Sequence, residues 1–255
     1  MRRTALLLVA LAAVAPTTSV SAQEEAGDIV RAFVVKAKPG MGQKFEEAYK
    51  KHVAWHEQQN DDWTWDTWQF QTGERFGQYM IRTEGHHWQD FDATADFQVA
   101  DGKHFMDTAG PYVASTTSFF SRIDQEASRM PADPPSIVQV TSYLLHPGTG
   151  AQFTHVVKKL NGANAKTNRP VFSALVQTLS GVEQPSYAIV SLHKNWAGFE
   201  PPDQATMAML VEVYGQQEAE ALRKTFYDSV RSYSTNVLVY RPELSYRPSS
   251  PTSEE

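Results

Sequence analysis

The sequence has 255 residues, and 41% of them are hydrophobic, which is enough for a sizeable packed core. Because it contains no cysteine, disulfides, thiolate nucleophiles, iron–sulfur clusters and cysteine-type zinc sites are all excluded. The formal net charge is -6 and the lysines and arginines form no cluster, which argues against a nucleic-acid partner.

The amino terminus has the pattern of an export signal. Two arginines precede an apolar run over residues 5–15, and small residues follow at 20–22. This pattern predicts a signal peptide over residues 1–22 and a mature protein that is periplasmic or secreted. No stretch approaches the roughly 20 apolar residues of a membrane-spanning helix, so we predict no membrane span.

The next part of the chain alternates strand and helix patterns. A strand over 28–37 runs into a Pro-Gly turn and then into an amphipathic helix over 42–58, whose inward stripe includes His52 and His56. Two aromatic and β-branched runs on either side of a Thr-Gly-Glu turn predict a hairpin. The remaining predicted elements are hairpin strands over 63–71 and 76–83, a helical turn over 88–91, a looser segment to 114 and a strand over 116–123.

A proline-containing linker, residues 125–135, leads to a second part with the same order of elements. Its predicted elements are a strand over 137–145, a helix over 150–164, a hairpin over 171–193, a long helix over 205–233 and a strand over 236–240. The tail, 246–255, is rich in Pro, Ser and Glu and is predicted to be disordered.

The two parts match each other at a constant offset of 108 residues. Segments 34–45 and 142–153 share Pro, two Gly and Phe in step, and two lysines follow each segment. The register continues without a gap as far as Phe91 and Phe199. Such a register indicates a duplicated domain, with repeats over 28–124 and 136–245.

The motif Val-x-x-x-x-Pro-Gly-x-x-x-x-Phe, in a β-α-β-β-α-β unit of ~100 residues, resembles the dimeric α/β-barrel superfamily of ferredoxin-like domains. Its members include antibiotic-biosynthesis-monooxygenase-like, NIPSNAP-like and haem-degrading proteins. The resemblance implies an α+β fold of two tandem ferredoxin-like repeats whose sheets face each other and close a barrel, forming an intrachain pseudo-dimer. Because these relatives do unrelated chemistry, the resemblance transfers no catalytic residue.

The first repeat differs in chemistry from the second at matching positions. Larger polar or aromatic residues replace smaller ones in the pairs His52/Leu160, Trp55/Ala163, His56/Asn164, Trp63/Val171, Trp65/Ser173, Asp66/Ala174, Trp68/Val176 and Arg82/Val190. In the predicted hairpin Asp66 and Arg82 lie opposite each other on one face. Because the second repeat is apolar there, we expect this face to pack on the helices beside the histidines.

These positions define a candidate site in a cleft between helix and sheet. The candidate catalytic residues are His52, His56, Asp66 and Arg82, and the candidate ligand contacts are Trp55, Trp63, Trp65, Trp68, Gln69 and Tyr79, of which Gln69 and Tyr79 are expected to face the barrel interior. The alternatives are hydrogen-bonded core histidines and a structural ion pair. No third ligand stands at a diagnostic spacing, so no metal site is predicted.

Three functions remain open from the sequence. The first is binding of a small apolar or aromatic molecule in the cleft, which the tryptophans favour. The second is an enzyme, either a cofactor-independent oxygenase or a haem-handling oxidoreductase. The third is a non-catalytic structural or assembly protein. No cofactor is predicted, and haem is left open by the resemblance.

Overall fold

Eight strands form the framework of residues 26–248, the part of the chain that the computed structural model describes. They are β1 Ile29–Ala37, β2 Asp66–Phe70, β3 Tyr79–His86, β4 Val113–Arg129, β5 Ile137–Leu145, β6 Ser173–Ser180, β7 Ser186–His193 and β8 Val230–Tyr240. All neighbouring strands are antiparallel, and the sheet closes into a barrel in the order β1-β3-β2-β8-β5-β7-β6-β4.

Helices cover the outside of this barrel. They are α1 Gly42–Gln59, α2 Trp88–Ala93, α3 Ala95–Thr108, α4 Gly150–Lys166, α5 Thr206–Tyr214 and α6 Gln216–Ser229. α1 contacts α3, whereas α4 contacts both α5 and α6. None of the described helices is long and apolar enough to cross a membrane.

A Pro-Gly turn positions the first helix of each half. Gly40 and Gly148 have φ values of +73° and +84°, a left-handed conformation that glycine adopts without a steric penalty. The turn directs α1 and α4 back along the sheet, so that Phe45 and Phe153 are both fully buried beneath them. The shared motif therefore positions the helix against the sheet in both halves.

The structure confirms the predicted strands β1 and β5 and the helices α1 and α4 to within two residues at each end. It also confirms the hairpin register, because Asp66 pairs directly with Arg82. The prediction of a looser segment up to residue 114 is wrong, because this segment contains α3. None of the α3 residues is fully buried, so this helix lacks the clear apolar stripe that sequence patterns detect.

Three boundaries also differ from the predictions. β4 continues to Arg129, so the predicted linker 125–135 begins inside this strand. The single helix predicted over 205–233 is instead α5 and α6, separated at Gly215, whose φ is +84°. β8 begins at Val230 because residues 230–235 continue the ladder with β5.

The predicted terminal segments lie almost entirely outside the described residues. The signal peptide, 1–22, is wholly outside them and stays a prediction. The predicted disordered tail begins too early, because Tyr246 is 8% exposed and exchanges two backbone hydrogen bonds with Trp65, of 2.8 and 2.9 Å. Residues 249–255 are outside the description.

Candidate functional sites in the barrel interior and beside α1

The barrel encloses a cavity of about 1460 Å³ to which all eight strands contribute. The second half contributes aliphatic residues such as Val138, Ala174 and Val190, together with serine, threonine and tyrosine side chains of β5 and β8. The first half supplies Asp66, Trp68 and Arg82 at the positions equivalent to Ala174, Val176 and Val190. At these three positions the first half is therefore polar and aromatic where the second half is aliphatic.

The predicted orientation of the hairpin is wrong. The face that carries Asp66, Trp68 and Arg82 lines the barrel cavity and does not pack on the helices. Gln69 and Tyr79, expected to face the barrel, lie on the helix side, where Tyr79 Oη donates to Glu46 and Arg241 donates to both Gln69 and Glu46. In a closed barrel both faces of the sheet are buried, so apolar character does not distinguish them.

Asp66 and Arg82 have separate ion-pair partners although they face each other. Asp66 Oδ1 accepts a hydrogen bond of 2.8 Å from Arg247 Nη2 and one of 3.1 Å from Tyr240 Oη. Arg82 pairs with Glu84. Burial lowers the pKa of Arg82, and the negative charge of Asp66 opposes this shift.

Three residues that line the cavity each have a buried polar atom that lacks a hydrogen-bond partner among the described residues. These atoms are Trp68 Nε1, Arg82 Nε and Ser121 Oγ. All three belong to the first half of the chain, and all three can donate a hydrogen bond. Buried polar groups are nearly always satisfied, so these three donors are available to a polar ligand atom or a water molecule that reaches them from the cavity.

A second cluster lies outside the barrel, between α1 and α3. His52 and His56 are one turn apart on α1 and are only 4% and 2% exposed. Asp101 and His104 come from the facing surface of α3. We call these four residues the histidine cluster. The structure thus separates the predicted catalytic residues, with Asp66 and Arg82 in the barrel and the two α1 histidines in this cluster.

Three ligand-type atoms of the histidine cluster lie within 4.8 Å of one another. Asp101 Oδ1 lies 3.1 Å from His52 Nε2 and 3.3 Å from His56 Nε2. Both distances are short enough for a charged hydrogen bond, although the ring N–H directions are poorly aligned with this buried oxygen. One carboxylate oxygen therefore lies between two imidazole nitrogens without a well-aligned donor.

A second carboxylate fixes the orientation of His56. α1 ends at Asn60, which has a left-handed conformation, and the turn brings Asp61 back beside the last helical turn. Asp61 Oδ2 lies 2.8 Å from His56 Nδ1 and accepts a hydrogen bond of 2.9 Å from Trp65 Nε1, while Oδ1 accepts one from the Trp63 amide. His56 is thus held from its Nδ1 side.

The charges in the cluster are strongly coupled. Burial opposes ionisation of Asp101, but His52 and His56 more than offset it and lower its pKa to about 2. Burial also disfavours the charged form of His56, yet Asp101 and Asp61 together raise its pKa. For His52 burial dominates and lowers the pKa. The two imidazoles therefore favour the ionised form of Asp101.

The predicted tryptophan contacts divide between the two places. Trp68 lines the cavity, with its ring 5.1 Å from that of Tyr240. Trp55 stacks 5.0 Å from His104 in the histidine cluster. Trp63 and Trp65 lie on the helix side near Asp61. The cleft predicted between helix and sheet is therefore filled by the protein's own side chains.

Sequence reasoning missed several residues of both sites. Asp101 was hidden in the segment predicted to be loose, although Asp101 and His104 have the spacing of one helical turn. Asp61 could have been found from its position just after the end of α1. Tyr240 and Arg247 reach the cavity only through the strand order, which no short motif in the sequence records.

Comparison with known proteins gives structural matches alone. No protein-family model matches the sequence, and no curated protein does. A proposed monooxygenase from Lactobacillus acidophilus NCFM is 10% identical with a TM-score of 0.55, covering 87% of this chain and 97% of that one. An anthrone oxidase-like protein is 12% identical with a TM-score of 0.54, covering 91% and 98%. Chlorite dismutase from Candidatus Nitrospira defluvii, in complex with imidazole, is 11% identical with a TM-score of 0.53, covering 86% and 93%.

The chain has the dimeric α/β-barrel fold. The resemblance drawn from residues 34–45 is thereby confirmed for the fold. Relatives of this dimeric α/β barrel that share so few identical residues do not establish an activity, because one fold carries many chemistries. The function has to be argued from the two sites.

The histidine cluster of this dimeric α/β barrel has no space for haem. The Nε2 atoms of His52 and His56 both face Asp101, and the ring of Tyr246 covers His56 at a centroid distance of 5.7 Å. A porphyrin has no space there. The barrel cavity is large enough for haem, and the described residues that line it include tyrosines and methionines but no histidine.

Proposed function

We propose that the protein binds a small apolar or aromatic molecule inside the barrel, with a hydrogen-bond acceptor of the ligand directed at the first-half wall. One observation carries the proposal: Trp68 Nε1, Arg82 Nε and Ser121 Oγ are buried donors without partners on the wall of a cavity that is otherwise largely apolar. Ligand sites typically combine an apolar lining with a few placed polar groups.

The energetics favour a ligand that is amphipathic. Each unsatisfied buried donor costs about 1–3 kcal/mol, which a carbonyl or phenolate oxygen of the ligand would recover. The apolar body of the ligand would gain about 25 cal/mol for each Å² that it buries against the aliphatic residues of the cavity. A flat ring system with one oxygen acceptor meets both requirements.

The internal repeat supplies the test. Arg82→Val gives position 82 the residue type that the second repeat has at the equivalent position, Val190. Arg122→Val is the control, because the Arg122 side chain is 45% exposed. The probe is 8-anilinonaphthalene-1-sulfonate, an aromatic anion whose fluorescence rises on binding. We expect Arg82→Val to weaken binding about 5- to 100-fold, corresponding to the loss of one or two good hydrogen bonds, and Arg122→Val to leave it unchanged.

A cavity-filling variant provides a second test. Ala188 lines the cavity, and Ala188→Phe adds a ring there. We expect this variant to unfold cooperatively and to lose the probe. Retention of wild-type affinity in both Ala188→Phe and Arg82→Val would contradict the proposal and favour the structural or assembly role.

A cofactor-independent oxygenase acting on the same ligand is the second candidate. Asp66 favours it, because this carboxylate is 9% exposed, lies on the cavity wall and could take a proton from a bound substrate. With dithranol, an anthrone, the methylene carbon would be oxidised by O₂ to a carbonyl and the second oxygen atom would leave as water. Oxygen uptake that Asp66→Asn abolishes would support this candidate, and equal uptake in both proteins would refute it.

We also infer that the two halves are tandem ferredoxin-like repeats. The order β1-α1-β2-β3-α2-α3-β4 is followed by β5-α4-β6-β7-α5-α6-β8, with one additional break in the second helical part of each half. Around the barrel, each half contributes its strands in the same order, fourth, first, third and second. This inference explains why one wall of the cavity can carry polar groups where the other carries aliphatic ones.

A further inference from the structure

We propose that His52, His56 and Asp101 bind one divalent transition-metal ion, of the series from Fe²⁺ to Zn²⁺, between α1 and α3. The proposal does not depend on the barrel ligand, because the histidine cluster lies on the helix side of the sheet and the cavity lies on the other side. Either proposal can fail while the other holds.

The spacing of the three atoms suits such an ion. At a metal–ligand distance of about 2.1 Å, two ligands are separated by about 3.0 Å in an octahedral site and about 3.4 Å in a tetrahedral one. Asp101 Oδ1 lies 3.1 Å from His52 Nε2 and 3.3 Å from His56 Nε2. The three ligand atoms all lie within 4.8 Å of one another, so an ion can contact all of them once the two imidazole rings move closer together.

The outer contacts of both imidazoles leave Nε2 as the ligand atom. His56 Nδ1 lies 2.8 Å from Asp61 Oδ2, so its proton is held on that side. His52 Nδ1 lies 3.0 Å from His104 Nδ1, and this pair can place the proton on His52 Nδ1. A carboxylate or other acceptor behind each ligating histidine is the usual arrangement at metal centres, where it fixes the ring and raises its basicity.

The surroundings of Asp101 are a further sign of an ion. Asp101 Oδ1 is buried between two ring nitrogens whose N–H directions are poorly aligned with it. A metal ion would give all three atoms a partner at once. Two imidazoles and one carboxylate select a transition metal, whereas Mg²⁺ and Ca²⁺ prefer sites made of oxygen.

The second repeat shows what this position looks like without a metal. His52 corresponds to Leu160 and His56 to Asn164, and the space beside α4 holds Met209, Leu210 and Leu222. The helix–sheet core can therefore be built from aliphatic side chains. The polar cluster beside α1 is a specific addition to the first half, not a requirement of the fold.

Calorimetric titration of the untagged protein with Zn²⁺, after removal of bound metal by a chelator, tests the site. We expect one Zn²⁺ per chain, and an affinity more than about 100-fold weaker in His56→Gln and in Asp101→Asn. His104→Gln, which changes an outer contact, should weaken binding by about 10- to 100-fold. His155→Gln is the control because His155 is exposed on α4, and it should bind Zn²⁺ as the wild type does.

The visible absorption of Co²⁺ bound to the wild-type protein tests the site without any variant, so the test does not depend on a variant that folds. Co²⁺ bound by two histidines and a carboxylate should give stronger visible absorption than hexaaqua Co²⁺, and Zn²⁺ should abolish it by displacement. An absorption spectrum identical to that of aqueous Co²⁺, or equal Zn²⁺ affinity in wild type and Asp101→Asn, would overturn the proposal. The cluster would then be a buried network of charged hydrogen-bonding groups alone.

Discussion

Removal of Asp61 tests how the histidine cluster is held in place. The Asp61 side chain is 7% exposed and accepts hydrogen bonds from Trp65 Nε1 and the Trp63 amide, in addition to its contact with His56 Nδ1. Asp61→Ala removes all three acceptor contacts at once. His56 and Trp65, both buried, would then keep donors without partners.

The expected loss of stability follows from those donors. An unsatisfied buried donor costs about 1–3 kcal/mol, so two of them, with partial compensation by water at Trp63, give about 3–5 kcal/mol. The free energy of unfolding of a protein of this kind is about 5–15 kcal/mol, so the variant should lose a large fraction of its stability. The loss should appear as a lower midpoint of unfolding with little change in slope.

The assay is urea unfolding followed by tryptophan fluorescence and circular dichroism, in buffer containing a chelator. Asp62→Ala is the matched control, because Asp62 is the exposed neighbour and its removal should change the stability by less than about 0.5 kcal/mol. Equal destabilisation by both substitutions would refute the assignment of Asp61 as the buried acceptor of the cluster.

Two further predictions concern the packing of α1 and α4 on the barrel. Glu46→Gln removes the negative charge and one of the two oxygens that accept hydrogen bonds of 2.9 Å from Arg241, and it should cost about 1–2 kcal/mol in urea unfolding, whereas exposed Glu47→Gln should cost almost nothing. Burial opposes ionisation of Glu46, but Arg241 outweighs burial and lowers the pKa of Glu46 below its ordinary value of 4.5. The ion pair should therefore stabilise the fold at pH values above the unfolded-state pKa. This stabilisation should disappear in acid, as the pH falls through the folded-state pKa. Phe153→Ala should lower the free energy of unfolding by about 3–5 kcal/mol because the ring is fully buried, whereas Phe76→Ala, at a ring 71% exposed, should change it by less than about 0.5 kcal/mol.

The sequence predicts the local elements of this fold well because their signals are local. The Pro-Gly turn before Phe45 and Phe153 needs only a glycine with positive φ and an apolar residue beyond it. The pairing of Asp66 with Arg82 needs only the position of the hairpin turn. Both predictions are therefore confirmed.

The sites are harder to predict because they depend on which side of the sheet each residue faces. Closure of the barrel buries the inner face, and the helices bury the outer face. The alternation of side chains along a strand therefore separates two faces but does not show which of them lies inside the barrel. Asp66 and Arg82 were expected beside His52 and lie instead in the cavity. Asp101 joins the histidines only through contact between α1 and α3, which no spacing along the chain encodes.

A crystal structure of the protein bound to 8-anilinonaphthalene-1-sulfonate tests the proposed barrel site most directly. The proposal predicts the ring system inside the barrel, against aliphatic residues such as Val138 and Val190, with a sulfonate oxygen within about 2.7–3.2 Å of Arg82 Nε or Trp68 Nε1. A probe bound only on the outer surface or between α1 and α3, with the barrel interior holding water alone, would contradict it.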